Sequence, residues 1–115
     1  MTMIDKHDVL DCLRELSNAQ FQRRVWLASS GPEVSSFSEA VCQLFDDTGL
    51  GDALDRGSPV FSAAADSTLK NLMQAASRVD RSLSPGSLID APQMDLIRNL
   101  AAMAIEQISA ANRTQ

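Results

Sequence analysis

Seven apolar residues, Met94, Ile97, Leu100, Ala101, Ala104, Ile105 and Ile108, recur at intervals of three and four near the C-terminus. That spacing puts them on one face of a helix and is incompatible with the two-residue alternation of a half-buried strand. A stripe this long must be covered by other elements, so it predicts a central helix over 92–110 in an all-α bundle. Asp90 is placed to cap it, with Pro92 in the first turn, where a missing amide proton costs little.

The remaining patterns supply the covering helices. Val9, Leu10, Leu13 and Leu16 form one stripe of a helix starting at Asp5, and Asp5, Asp8 and Asp11 lie near its positive end. The pattern blurs at Ser17-Asn18 and resumes at Phe21, Val25, Trp26 and Leu27, as a kinked helix or a second one. Ser29-Ser-Gly-Pro32 stops it. Ser36-Phe-Ser-Glu39 has capping-box spacing ahead of Phe37, Val41, Leu44 and Phe45. Gly49 ends that helix in a left-handed conformation, and Gly51 to Arg56 forms a short helical turn. A further helix runs from Ser62 or Asp66 through Leu69, Leu72, Met73, Ala76 and Val79. Ser82 to Ser87, with Pro85-Gly86, reads as a loop. Val60-Phe61 is the one strand-like fragment. At 115 residues, the expectation is a single helical domain over 1–115, an all-α bundle of four or five helices.

The formal charge of −5 has an address. Between Glu39 and Asp66 lie six acids (Glu39, Asp46, Asp47, Asp52, Asp55, Asp66) and one base, Arg56, while the rest of the chain is balanced. Asp46, Asp47, Asp52 and Asp55 are therefore the candidate partner-binding residues, a contact surface for something basic.

Catalytic and metal motifs do not survive inspection. An EF-hand loop begun at Asp46 puts Gly51 at its sixth position but Leu50 at the fifth and Gly57 at the twelfth, where ligands are required. Gly49-Leu-Gly51 follows a helix and is lined by carboxylates, which repel phosphate. His7 is the sole histidine and belongs to no zinc-ligand spacing. Gly-x-Ser-x-Gly is absent from the sequence. Arg23-Arg24-Val-Trp26 resembles a nucleic-acid clamp, but two arginines are a small footprint in an acidic chain. The indole is expected in the core, with the arginines reaching water or a nearby acid, the alternative being a bridge toward the Asp46-Asp47 region. No metal, cofactor or nucleic acid is implied.

Cys12 and Cys42 both fall on apolar helical faces and are expected to be reduced, buried thiols. The N-terminal segment carries acids where a signal peptide needs bases, and no apolar run approaches the ~18–20 residues that span a bilayer. The expectation is a soluble cytoplasmic protein without membrane association.

Across residues 24–80, a Trp26-Leu27 pair precedes the Ser36-capped helix that ends in Leu44-Phe-Asp-Asp47, and Val60-Phe61 precedes a helix ending at Val79-Asp80. In these features the chain resembles small bacterial immunity proteins of polymorphic or contact-delivered toxin systems. The resemblance implies a cytoplasmic inhibitor that binds a basic toxin domain and blocks its active site, and it transfers no site residues. Two functions are thus carried forward: an interaction protein docking a basic partner through the acidic loop, and a small helical enzyme or ligand-binding bundle whose polar groups converge from separate helices.

Overall fold

The computed structural model describes residues 4–27 and 35–113, so the expected stop at 29–32 lies outside the described residues. Seven helices and no strand are present among them. They are α1 (Lys6–Ser17), α2 (Ala19–Phe21, widening into a π-helical stretch over Gln22–Leu27), α3 (Phe37–Cys42, widening likewise over Gln43–Asp47), α4 (Leu50–Asp55), α5 (Ala63–Ser77), α6 (Pro85–Asp90) and α7 (Pro92–Arg113). The fold is all-α, as expected: five of the seven helices have seven residues or more, in keeping with a bundle of four or five, and α4 and α6 are short additions of six residues each.

Helix α7 is the spine, packed by α1 on one side and α5 on another. Met94, Ile97, Ala101, Ala104 and Ile108 are buried in it, and one continuous core joins them to residues of every other helix. Leu100 and Ile105 are only half-buried, at the edge of the stripe.

Side-chain caps set most of the boundaries. The Asp5 carboxylate accepts from the amides of His7 at 2.8 Å and Asp8 at 3.4 Å, opening α1. Asn18 accepts from the Phe21 amide at 3.1 Å, which turns the blurred Ser17-Asn18 region into a junction between two helices. Ser36 caps α3 through the Glu39 amide at 3.1 Å, and Ser62 caps α5 through the Ala65 amide at 3.1 Å. Gly49 has φ 80°, the left-handed geometry a glycine adopts without a Cβ penalty.

Three local expectations are corrected. Ser84 caps a helix that Pro85 begins, so Pro85-Gly86 lies in α6 and not in a loop; proline at a first helical position loses no bond. Asp90 closes α6 and pairs with Arg23 at 2.7 Å, so it does not cap α7, and Arg23 bridges to Asp90 and not to Asp46-Asp47. Arg24 lies over the Phe21 ring at 5.4 Å. Val60-Phe61 is not strand: the Asp66 carboxylate accepts from both amides, at 2.9 and 3.0 Å, and so folds the α4–α5 connection.

A buried polar clamp ties four helices together. Gln22 is fully buried and its amide nitrogen donates to the carbonyls of Glu15 and Leu16, each at 3.0 Å, while its oxygen accepts from Arg98 Nε at 3.0 Å. Arg98 also donates to the Ile89 carbonyl and to Asp95 at 3.1 Å. The ends of α1 and α6 are thus fastened to α2 and α7 through groups that would otherwise be buried without partners.

Candidate functional site

Helix α3 delivers Asp46 and Asp47 in its last turn. Successive residues on a helix point in different directions, and here the two neighbours line different depressions. Asp46 faces a groove that it shares with Asp52 and Asp55 of α4. Val41, Phe45, Gly51, Met73 and Ala76 contribute its apolar lining, and Ser77 and Arg81 line it from the α5 side. Its volume is about 450 Å³. Asp47 looks the other way, into a depression lined also by Asp8, Asp11, Cys12, Gln43 and Thr48.

The structure therefore brings together three of the four expected residues and separates the fourth. Asp46, Asp52 and Asp55 share the groove, whereas Asp47 belongs to a second acidic face with α1. All four carboxylates are exposed. Asp52 pairs with Arg56 at 3.3 Å, an i,i+4 contact in which both side chains are about two-thirds exposed or more, so the pairing leaves the groove's acidity largely intact.

The groove is held in shape by close packing at Gly51. A Cβ there would lie 3.1 Å from the Phe45 carbonyl oxygen and 3.3 Å from the Phe45 Cβ, so the absence of a side chain lets α4 sit against the end of α3. Thr48 secures the same junction. Its hydroxyl donates to the Leu44 carbonyl at 2.5 Å and accepts from the Leu50 amide at 3.1 Å.

Arg81, which the sequence reading did not single out, borders both this groove and a neighbouring apolar pocket. Its guanidinium lies 5.4 Å from the Phe37 ring centroid and donates to Ser38 Oγ at 3.4 Å. The pocket beyond it, of about 150 Å³, is walled by Trp26, Phe37, Leu83, Pro85 and Leu88. Trp26 and Phe37 meet edge to face, with centroids 6.1 Å apart. The indole N–H donates to Glu15 at 2.9 Å, and the same carboxylate accepts from Ser35 at 2.5 Å. No sequence spacing announces this pocket, because its walls come from α2, α3, α6 and the turn before α6.

Neither cysteine is disulfide-bonded. Cys42 is exposed, against expectation, because its position falls on the outer flank of α3. Its thiol is raised above the ordinary range, first by local loss of hydration and then by a hydrogen bond to Asp46 and the charges of Asp47, Asp46 and Glu39. Cys12 is half-buried and its thiol is pushed up to about 11, by burial first and then by Glu15, Asp8, Asp11 and Asp47. Both are therefore poor nucleophiles near neutral pH.

Among the described residues, no group of three or more His, Cys, Asp and Glu converges to hold a metal ion, and no helix is long and apolar enough to cross a membrane. Gln22 and Arg98, which converge from separate helices, direct their bonds to backbone carbonyls, to each other and to Asp95. A family model spans nearly all of this architecture, from residue 4 to residue 111. The chain belongs to the DUF7945 family. That family is described as a domain of unknown function, and its match covers every helix from α1 through most of α7. No curated protein and no solved structure matches the chain.

Proposed function

We propose that this DUF7945 member is an interaction protein that docks a basic protein on its acidic groove. One observation carries the reading: Asp46, Asp52 and Asp55, from two separate helices, converge on a groove with an apolar lining. Like charges gathered this way repel one another, and a cationic partner relieves that repulsion while the apolar lining supplies contact area. The resemblance over residues 24–80 nominates the partner to try first, a basic toxin domain whose active site the protein would cover from within the cytoplasm.

Affinity capture with a charge-matched control tests this. The protein, a groove variant (Asp46→Asn, Asp52→Asn, Asp55→Asn) and a second-face variant (Asp8→Asn, Asp11→Asn, Asp47→Asn) are used as bait at low salt. A basic protein retained by the parent and the second-face variant, and lost from the groove variant, supports the reading. Equal capture by all three contradicts it. A captured toxin whose activity falls to zero at one equivalent of the protein supports the immunity assignment, and undiminished activity removes it.

A further inference from the structure

We propose that the acidic groove and the Trp26 pocket form one docking surface, which takes from the partner a bulky apolar side chain together with the basic residues flanking it. This rests on the reading above and adds the chemistry of the docking segment.

The two depressions are lined in common by Arg81, whose side chain is exposed and lies against the Phe37 ring. What they share is thus a long, exposed side chain at their border. The pocket measures about 150 Å³, the volume at which an apolar cavity accommodates a benzene ring. Its deeper walls, Trp26, Phe37 and Leu88, belong to the core, while Leu83 at its mouth stays 38% exposed. Rigid aromatic and aliphatic walls with an exposed apolar lip are what an interface anchor requires. Beside it stand three carboxylates and one arginine, a local excess of negative charge that matches lysine or arginine next to the anchor. The division of labour follows: the buried anchor governs how long the complex lasts, and the acids govern how fast it forms.

Trp26 is the sole tryptophan, so its emission reports occupation of the pocket without a label. Three probes sharing one ring isolate the charge: phenethylamine, phenethyl alcohol and 3-phenylpropionate, each titrated at low salt. The amine and the alcohol should change Trp26 emission, with the amine about threefold the tighter, the size that exposed charge pairs provide. The groove variant should reduce the amine to the level of the alcohol. Leu83→Ala, an exposed change that spares the core, should weaken both, and unchanged circular dichroism establishes that either variant is folded. Silence from all three probes overturns the pocket. An amine advantage untouched by the groove variant overturns the union of pocket and groove, and preference for the carboxylate makes Arg81 an anion receptor instead. None of these failures affects capture of a basic protein by the groove, so the two proposals fall separately.

Discussion

Gln22→Leu should be one of the most damaging single changes in the molecule, although it exchanges a polar side chain for an apolar one of similar size inside a core. The side chain is fully buried and makes three hydrogen bonds, to the carbonyls of Glu15 and Leu16 and from Arg98 Nε. The Glu15 carbonyl keeps the Asn18 amide at 3.3 Å, whereas the Leu16 carbonyl loses its side-chain donor at the end of α1. Arg98 retains Asp95 and the Ile89 carbonyl but has its Nε left facing a hydrocarbon. Losing two neutral bonds at about 1 kcal/mol each, and one to a charged group at about 1.5–3, gives roughly 3–4 kcal/mol after the gain from added apolar surface. Against a typical stability of about 5–15 kcal/mol, that is a large fraction. Urea unfolding followed by Trp26 fluorescence and circular dichroism measures it directly. Arg98→Met alone and the double variant complete a cycle whose coupling should be about 1–3 kcal/mol. A loss under about 0.5 kcal/mol, below even one ordinary hydrogen bond, would refute the clamp.

Ile97→Ala should cost about 2–5 kcal/mol, because its side chain is fully buried on α7, and half-buried Leu100→Ala distinctly less; denaturant titration compares them. Ser62→Ala removes the α5 cap and should cost about 1 kcal/mol in the same assay. Gly51→Ala should displace α4 from Phe45, seen as amide shift changes confined to α3 and α4. Cys12 is held protonated in the fold, so alkylation at pH 8 should be about a hundredfold slower than that of a free thiol and accelerate until the pH passes about 11. The unfolded chain releases that proton first, near 9.0, so this contribution to stability is complete below pH 9.0 and lost between there and about 11.

Periodicity made the helical class legible, because burial of one face leaves a trace at every third or fourth residue. The stripe of α7, the cap at Ser36 and the helix starts at Asp5 and at Ser62 or Asp66 could be read locally for the same reason: each is a relation between residues a few positions apart. Pro85-Gly86 misled because the pair suits a loop and a first helical turn alike, and only Ser84 in front distinguishes them. In sequence, Arg98 is marked only by interrupting the apolar stretch Leu96 to Ala104. Apart from Asp95 its partners lie in α2 and α6, and nothing local marks a part-buried guanidinium as satisfied. The charge bias located the acids, but counting them along the chain could not show that Asp47 turns away from Asp46. Arg81 and the Trp26 pocket exist only through tertiary packing, so no spacing foretells them.

The association rate of a captured basic partner tests the account most directly. Stopped-flow mixing at low and at physiological salt would compare the parent, the groove variant lacking Asp46, Asp52 and Asp55, and the second-face variant lacking Asp8, Asp11 and Asp47. Both variants lose three charges, so net charge is held constant between them. The account predicts that the groove variant associates about tenfold more slowly at low salt, with a shallower salt dependence, while the second-face variant stays near the parent rate. Equal slowing of both variants would show that only net charge matters, and slowing of the second-face variant alone would move the interface to α1 and Asp47.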